Sequence, residues 1–524
     1  MSQADETNAY DALPYPPFSF PATHIGRLAA IGRLFNLQTA EPSKSRVLEL
    51  GCSSGVNLLA MAQNFPEAEF VGVDYSKKQI DLAQEALAST GLSNVRFLNE
   101  DISKLPSDLG EFDYIITHGI YSWVPPHVKE AILKISRENL KPHGVAYISY
   151  NCLPGWRMRG ALRDMMLMHT AGIQDVVGKV AQSKALIKFL AESCSEDTPY
   201  GKYLRQELDL LTKVDDSYIA HDFLEVDNDA LYFTDFIKAA AQHKLGYLGD
   251  AEPATMIVDN MPGQAAQTLK SLNLNLLATE QYMDFVRNRM FRSTLLCRAE
   301  SELKRSIDPA CLESFHVTPL VALKTPFSKK QPAVFVGAAG SELTVGDAFT
   351  ADIFTLAIEH RGKITAAQLL DEVALKHSDK LKDKDPAAVR ADLGRILING
   401  YFKKMVDFTL GPVGAATPAT TENPQSLPLA RWQASKGQRV SSPRLDMLNS
   451  DPFVAKFITL CDGTRDREAL INAMIEAHDK KEYQLNESNK PVTDPERARF
   501  IIERLYDGSL QNLQNLGLLH SKAA

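Results

Sequence analysis

The stretch V-L-E-L-G-C-S-S-G, residues 47–55, decides the fold, because it reads as a short buried strand that runs into a glycine-containing turn. A helix is predicted to follow from about Asn57. Gly51, Ser53, Ser54 and Gly55 are small, so this turn lets a ligand approach the backbone closely. The next strand ends at Asp74, an acid about 20 to 25 residues further on, where it is suited to accept hydrogen bonds from a ribose.

Strands and helices alternate on the C-terminal side of this motif. Strands are predicted at 46–50, 69–74, 95–98, 112–117 and 144–150, with helices from about 57, over 77–89 and over 127–140. An amphipathic helix over 24–37 precedes them. Short apolar strands separated by helices indicate an α/β fold, a doubly wound Rossmann-like parallel sheet covered on both faces.

The acids around the turn distinguish this motif from a dinucleotide site. A dinucleotide fingerprint needs three glycines that hold a diphosphate at a helix N-terminus. Here only Gly51 and Gly55 are present, and Glu49 precedes them, where a carboxylate repels a diphosphate but suits an amino group and a sulfonium charge. Asp101 follows the third strand and is placed to bind an adenine amino group, which Ile102 is able to cover.

An E-x-G-x-x-x-G turn, an aspartate and an Asp-Ile pair at successive strand ends resemble the class I S-adenosylmethionine-dependent methyltransferases. The middle glycine usual in that family is Ser53 here, which narrows the space for the methionine part of the cofactor. The resemblance implies S-adenosylmethionine as cofactor and no metal. The implied cofactor-binding residues are Glu49, Gly51, Ser53, Gly55, Asp74, Tyr75, Asp101, Ile102 and His118.

A second group of residues follows the fourth and fifth strands, where such folds place the methyl acceptor. H-G-I-Y-S-W-V-P (118–125) supplies His118, Tyr121 and Trp123, and Y-N-C-L-P-G-W (150–156) supplies Asn151 and Trp156. These five are the candidate catalytic residues. The alternative is ordinary packing for the aromatic residues and a structural role for His118. The phenol of Tyr121 or the amide of Asn151 is suited to orient an amine, and His118 is the candidate base for an alcohol acceptor.

The rest of the chain divides into helical and mixed regions. Residues 156–224 are predicted to be helical, and a helix over 233–243 followed by a strand over 245–250 is suited to extend the sheet. Residues 279–300 read as one helix, with R-N-R-M-F-R (287–292) on one face. Residues 315–345 are strand-like, and 350–411 have the order of a winged helix that ends in a strand pair. In residues 429–524, D-G-T-R-D-R-E (462–468) marks a helix start.

Nearly the whole chain resembles bacterial methyltransferases that carry a methyltransferase regulatory domain and a C-terminal winged helix. Some of these are protein-lysine methyltransferases that act on outer-membrane proteins. The implied boundaries are 1–40 for an N-terminal lid and helix, 41–214 for the catalytic domain with a helical insertion from about 156, 215–300 for the regulatory domain, 301–411 for a middle winged-helix-like domain, 412–428 for a linker and 429–524 for a C-terminal winged-helix-like domain.

Composition limits the partners. The net charge is -8, and Lys and Arg are balanced by Asp and Glu in both C-terminal modules, so neither nucleic acid nor an anionic membrane is expected. The six cysteines are scattered and the N-terminus is acidic, which favours a cytoplasmic protein. We expect the C-terminal modules to recognise the acceptor or to pair two chains as a homodimer.

Three functions remain open at this point. The first is methylation of lysine on a protein, which includes an outer-membrane protein before export. The second is methylation of a small molecule or a cell-surface glycan, and the third is a catalytically silent protein that senses S-adenosylmethionine. The aromatic segment Tyr10–Phe20 is too rich in proline for a helix and too apolar for an idle tail, which suggests a lid over the cofactor.

Overall fold

A seven-stranded sheet forms the centre of the region predicted to be the catalytic domain in the computed structural model, which describes residues 15–106, 109–337, 340–414, 422–488 and 490–520. Its strands are β1 (Arg46–Leu50), β2 (Glu69–Asp74), β3 (Val95–Asn99), β4 (Phe112–Thr117), β5 (Leu140–Asn151), β6 (Leu245–Asp250) and β7 (Phe291–Arg298). The order is β3-β2-β1-β4-β5-β7-β6, and β7 runs antiparallel to both neighbours. The predicted doubly wound sheet is confirmed.

Helices cover both faces of this sheet and bring its parallel strands back to the same edge. They are α1 (Ile25–Leu34), α2 (Val56–Ala62), α3 (Lys77–Thr90), α4 (Pro126–Glu138) and, before β6, α9 (Phe233–Gln242). The predicted helical insertion consists of α5 (Trp156–Thr170), α6 (Val176–Ser193), α7 (Pro199–Lys213) and α8 (Asp216–Phe223), which share a hydrophobic core of their own. The insertion therefore stands beside the carboxyl edge of the sheet as a separate wall.

The single helix predicted over 279–300 is wrong. The chain forms α10 (Gly263–Ser271) and α11 (Leu276–Arg287), turns at Asn288 in the left-handed region (φ 48°), and continues as β7. Periodicity failed because β7 is buried on both faces, so its apolar residues do not alternate and equally fit a helix. The R-N-R-M-F-R stretch is consequently a helix end and a strand start, and the regulatory region supplies two strands of the sheet.

A buried arginine explains why β7 tolerates a charge at the centre of the fold. The Arg292 side chain is fully buried, and its guanidinium lies 2.9 Å from Glu280 and 2.7 Å from Asp284. Arg289 reaches Asp250 at 2.8 Å. A buried ion is stable only where its hydrogen-bonding capacity is satisfied, and here α11 and β6 supply the carboxylates. The cluster thus fastens α11 to the sheet.

The middle region carries two small sheets and a helical group. Its elements are β8 (Phe315–Pro319), β9 (Ala322–Thr325), β10 (Ala333–Val336), β11 (Glu342–Val345), α12 (Ala348–His360), β12 (Ile364–Thr365), α13 (Ala366–Lys376), α14 (Ser378–Leu381), α15 (Pro386–Phe402) and β13 (Val406–Leu410). The predicted terminal strand pair is one strand, β13, whose partner is β8 from before the helices. β13 also packs against α1, which joins this region to the catalytic domain.

The C-terminal module packs directly against the α/β domain, in addition to its connection through the linker. It contains α16 (Pro428–Ser435), β14 (Val440–Ser441), β15 (Met447–Leu448), α17 (Pro452–Leu460), α18 (Arg467–Asp479), β16 (Asn486–Glu487), β17 (Lys490–Pro491) and α19 (Pro495–Asn515). Asp466 caps α18, as the D-G-T-R-D-R-E stretch predicts. Leu429 and Leu445 enter the main hydrophobic core. Within the described residues, no helix combines the length and apolar character that a membrane crossing requires.

Candidate active site

A cavity of ≈ 670 Å³ opens at the carboxyl edge of the sheet, where the sequence motifs meet. Most of the predicted residues line it, and these are Glu49, Gly51, Ser53, Asp74, Tyr75, Asp101, Ile102, His118, Trp123, Asn151 and Trp156. Gly55 and Tyr121 do not. The structure thus gathers residues from five segments that are up to about 110 positions apart around one space, as expected at the carboxyl ends of an open α/β sheet.

The turn after β1 is shaped by its small residues. Gly51 has φ 76°, and a Cβ there would lie 2.3 Å from the side chain of Ile120. Gly55 has φ 71°, and a Cβ there would lie 2.3 Å from the ring of Phe97. Gly55 therefore leaves room for the ring of Phe97 and does not itself line the cavity, and its cofactor-binding role stays a prediction.

Glu49 is a buried carboxyl group in which one of the two oxygens has a hydrogen-bond partner in the described part of the chain and the other does not. The Asn57 amide donates a hydrogen bond to Oε1 at 2.8 Å, whereas Oε2 has no partner among the described residues. Burial raises the pKa of Glu49 to about 8, against the effect of the Asn57 hydrogen bond. An unsatisfied buried acceptor is costly unless a ligand completes it. A cationic amino group is the kind of ligand that fits.

Asp74 and Asp101 are held in place by backbone amides. The N–H of Ser53 donates to Asp74 Oδ2 at 2.8 Å, and that of Ser76 donates to Oδ1 at 2.9 Å. Asp101 accepts from Ser103 N and Oγ at 2.9 and 2.7 Å. These hydrogen bonds, together with Lys104, outweigh partial burial and hold the pKa of Asp101 below its usual value. Both carboxylates are therefore held in fixed positions, and the lowered pKa of Asp101 keeps that carboxylate ionised at neutral pH.

The positions and chemistry of these cavity residues fit the parts of S-adenosylmethionine. Glu49 offers a free buried oxygen for the amino group, Asp74 is a fixed acceptor at the next strand end for the ribose, and Asp101 lies beside Ile102 for the adenine. Gly51 leaves room at the turn for the side chain of Ile120, which also lines the cavity. In the described part of the chain, no three His, Cys, Asp or Glu side chains are grouped so as to hold a metal ion.

His118 is a neutral, stacked residue. Its Nδ1 lies 2.8 Å from the Tyr147 hydroxyl, and its ring lies 3.8 Å from that of Phe20 between centroids. Burial lowers the pKa of His118 to about 4. The imidazole thus stays uncharged near neutral pH and forms part of the cavity floor under the N-terminal segment. This environment favours a positioning role over proton transfer.

Trp123, Trp156 and Asn151 line the same cavity as the carboxylates. The two indole rings meet at 84° with centroids 6.0 Å apart, and Trp156 Nε1 donates to Asn228 Oδ1 at 2.9 Å. Asn151 is 2% exposed, and its Nδ2 finds no partner among the described residues. This wall is apolar apart from one amide that faces the cavity. We refer to Trp123, Trp156 and Asn151 as the acceptor wall.

Tyr121 does not belong to the acceptor wall. Its ring packs at 90° on Phe236, with centroids 5.3 Å apart, and meets Tyr150 at 6.4 Å. The short 3₁₀ helix Tyr121–Trp123 turns consecutive side chains to different sides, so Trp123 reaches the cavity while Tyr121 enters the core under α9. The expectation that Tyr121 lines the cavity is therefore not met.

Several lining residues escaped the sequence analysis. Asn57 carried a signal, since it is the polar residue of the apolar helix V-N-L-L-A-M-A. No local sequence signal pointed to three further lining residues, because they reach the cavity only through the folding of the helical insertion. These are Arg159, Tyr218 and Asp222. Of the expected lid Tyr10–Phe20, residues 10–14 lie outside the described residues, while Tyr15, Pro16, Phe18 and Phe20 line the cavity.

Comparison with known proteins identifies three family models along the chain. They are described as methyltransferase domain over residues 41–207, predicted methyltransferase regulatory domain over 215–298, and PKMT, C-terminal winged helix domain over 422–518. The ranges cover both the sheet and the C-terminal module. The fold and the sequence family therefore both indicate a methyltransferase.

Relatives match the chain from end to end. The Rickettsia prowazekii (strain Madrid E) protein RP789 is 32% identical over 527 residues, covering 98% of this chain and 94% of the relative. Solved structures of PKMT2 from Rickettsia typhi align with TM-scores of 0.83 and, in complex with AdoHcy, 0.84, at 31% and 32% identity. Each alignment covers 97% of this chain and 100% of the solved chain.

Proposed function

Because the chain belongs to the family of S-adenosylmethionine-dependent methyltransferases that includes PKMT2 of Rickettsia typhi, we propose that it methylates lysine side chains of proteins. The observation that carries this proposal is the acceptor wall, two tryptophans and a buried amide that line the same cavity as the carboxylates assigned to the cofactor. The PKMT name of the winged-helix family model supports the same acceptor.

Methyl transfer requires the protein chiefly to hold two molecules in line. The cofactor supplies a methyl group already activated on a sulfonium sulfur. We assign Glu49 to the cofactor amino group, Asp74 to the ribose, and Asp101 with Ile102 to the adenine. Rigid placement of both reactants replaces a bimolecular encounter with an intramolecular step, which is the main source of rate in such reactions.

A lysine amine must lose its proton before it reacts. Lowering a lysine pKa from about 10.4 to about 7.4 corresponds to ~4 kcal/mol. Trp123 and Trp156 contribute by removing water from around the ammonium group, which disfavours its charged form. Asn151 is placed to orient the neutral amine. His118 is a poor base for this task because burial holds its pKa at about 4.

The proposal is tested by following labelled methyl groups into an extract of the source cells. The purified chain and radiolabelled S-adenosylmethionine are added to extract separated into envelope proteins, other proteins and small molecules. We expect label in a protein band and methyl-lysine after acid hydrolysis. A Trp123→Ala, Trp156→Ala double variant is expected to lose this label while still binding AdoHcy.

The distribution of label separates the remaining acceptors. Label in an envelope band supports an outer-membrane protein as the substrate. Label confined to small molecules or to glycan contradicts the proposal and replaces it with the second function considered above. Label in protein as a methyl ester or at another residue type also contradicts it, because the lysine then has no part.

A further inference from the structure

Four carboxylates line the cavity, but the cofactor accounts for only three of them. Glu49, Asp74 and Asp101 lie at neighbouring strand ends, whereas Asp222 lies on α8 in the helical insertion. Among the described lining residues, Arg159 is the one arginine, and lysine is absent. The part of the cavity bounded by the insertion therefore has a negative group without an assigned ligand.

Tyr218 forms a hydrogen bond with Asp222, and Arg159 and Arg163 offset part of its charge without forming an ion pair with it. Within the described residues no lysine or arginine forms an ion pair with it, because the two nearest arginines are engaged elsewhere. Arg159 pairs with Glu207 at 3.4 Å, and Arg163 donates to the Glu225 carbonyl at 2.7 Å. Burial raises the pKa of Asp222 to about 6, against the effects of Tyr218, Arg159 and Arg163, so the carboxylate is ionised at neutral pH.

Aromatic residues connect this carboxylate to the acceptor wall. Tyr218 lies one helical turn before Asp222 on α8 and also lines the cavity. The Arg159 guanidinium lies 5.6 Å from the centre of the Trp156 ring, and Trp156 in turn contacts Trp123. A negative group beside aromatic faces is the arrangement that binds organic ammonium ions in proteins. The unpartnered amide of Asn151 supplies an independent polar contact to the same space.

We propose that Asp222 and Tyr218 form, with the acceptor wall, a subsite that selects a protonated alkylamine as the methyl acceptor. This inference rests on the proposed function and narrows it to a cationic side chain recognised through its charge. A carboxylate acceptor is repelled by Asp222, and an alcohol gains no ion pair there. Asp222 recognises the amine in the protonated form in which lysine arrives from water. The ammonium then gives its proton to water, and only the neutral amine attacks the methyl carbon, with the sulfur as leaving group.

The proposal is tested with the smallest mimic of a lysine side chain. The full chain is saturated with AdoHcy, and n-butylammonium chloride or n-butanol is titrated into it at constant ionic strength and pH 7.5. Ligand-observed NMR gives the dissociation constants. We expect a preference for the ammonium of at least about tenfold, the range of one charge-assisted hydrogen bond. Asp222→Asn abolishes this preference and Asp222→Glu retains it.

Asp227→Asn is the matched control, since it removes the same charge from an exposed position nearby that does not line the cavity. It is expected to keep the preference for ammonium. Unchanged AdoHcy affinity in each variant shows that the fold is intact. Equal binding of both probes by the parent chain, or an unchanged preference in Asp222→Asn, overturns the proposal.

The outcomes are separable from those of the methylation experiment. Methyl-lysine in protein together with an unaffected Asp222→Asn variant contradicts this subsite and leaves the proposed function standing. Loss of the ammonium preference in Asp222→Asn without methyl-lysine in any protein supports the subsite and contradicts the protein acceptor, because a small amine is then the substrate.

Discussion

Glu49 carries a proton in the cofactor-free protein at neutral pH. Its pKa of about 8 lies above the ordinary 4.5, so the folded state holds the proton more tightly than the unfolded chain does. This contribution to stability is fully present below pH 4.5 and is lost as the pH rises through 8. A bound amino group or sulfonium reverses the preference, because a cation favours the ionised carboxylate.

Glu49→Gln is therefore expected to have opposite effects on stability and on binding. Without cofactor at pH 8.5, the variant unfolds at a higher urea concentration than the parent, by a free energy on the order of a few kcal/mol. Its affinity for S-adenosylmethionine falls at least about tenfold. Calorimetry at pH 7 in two buffers of different ionisation enthalpy is expected to detect proton release on binding for the parent but less for the variant. Equal proton release from both contradicts the assignment.

Asp74 is expected to control affinity rather than methyl transfer itself. Asp74→Ala removes an acceptor for ribose hydroxyls and frees the amides of Ser53 and Ser76, so AdoHcy binding weakens by about 100-fold, or ~2.7 kcal/mol. Isothermal titration measures this loss. Asp81→Ala is the control, because Asp81 lies on the helix that follows Asp74, in an exposed pair with Lys77. This variant is expected to bind AdoHcy with the affinity of the parent.

The sequence revealed the residues whose positions follow from a local rule. Glu49, Gly51, Asp74 and Asp101 follow strand ends, and parallel strands bring their carboxyl ends together whatever the rest of the chain does. Asp222 and Tyr218 follow no such rule, because their approach to the cavity depends on how α8 packs on α5. The prediction for Tyr121 failed for a related reason. In the 3₁₀ helix Tyr121–Trp123, side chains two positions apart point to different sides, so Trp123 lines the cavity and Tyr121 lies in the core.

At the scale of elements, the segment from Tyr15 to Phe20 lies against the cavity, where the lid is expected, and the lid itself stays a prediction. The Phe20 N–H donates to Asn57 Oδ1 at 3.0 Å, its ring stacks on His118, and the Tyr15 carbonyl accepts from Gln79 Nε2 at 3.4 Å. Asn57 also donates to Glu49. The segment therefore touches Asn57, the residue that hydrogen-bonds the Glu49 carboxyl group assigned to the cofactor amino group.

Deletion of residues 1–22 is expected to weaken AdoHcy binding by about tenfold or more, because it removes one side of the cavity and one partner of Asn57. Phe20→Ala tests the same contact without shortening the chain and is expected to give part of the loss. Isothermal titration provides both constants. Unchanged affinity in the deletion variant refutes the lid.

The strand β7 depends on Arg292, and this gives a prediction about stability. Arg292→Ala leaves Glu280 and Asp284 buried without their cation, so the free energy of unfolding is expected to fall by about 3–5 kcal/mol. Arg137→Ala removes an ion pair with Glu300 in which both side chains are partly exposed, and its effect stays within about 1 kcal/mol. Urea unfolding followed by circular dichroism compares the two, and equal losses contradict the argument.

β7 also shows which secondary-structure elements could not be predicted from the sequence. The strands β1–β4 were predicted to within a residue, because each is a short apolar run bounded by turn residues. The segment 279–300 has no glycine or proline between α11 and β7, and the turn is made by Asn288 in a left-handed conformation. Only the pairing of β7 with β5 and β6 settles its conformation, and that pairing is tertiary.

At the scale of the whole molecule, the lid connects the cofactor cavity to the C-terminal module. The Ser19 hydroxyl donates to the Leu445 carbonyl at 3.0 Å, and the Arg439 guanidinium lies 5.3 Å from the centre of the Phe18 ring. On its other side the same segment reaches Asn57 and through it Glu49. A ligand that orders the lid therefore also stabilises the hairpin of β14 and β15, and the coupling is reciprocal.

Hydrogen exchange measures this coupling directly. Addition of AdoHcy is expected to slow amide exchange in residues 51–57, in the lid, and in residues 439–448, which do not line the cavity. Ser19→Ala breaks the contact with Leu445 and is expected to abolish most of the slowing at 439–448 while leaving that at 51–57. The partly exposed pair of Arg444 with Asp446 offers a control within the same hairpin, since Arg444→Ala leaves the contacts of Ser19 and Phe18 in place and is expected to retain the distant effect. Slowing confined to 51–57 in the parent chain contradicts the coupling, because the module then docks on the catalytic domain without sensing its ligand.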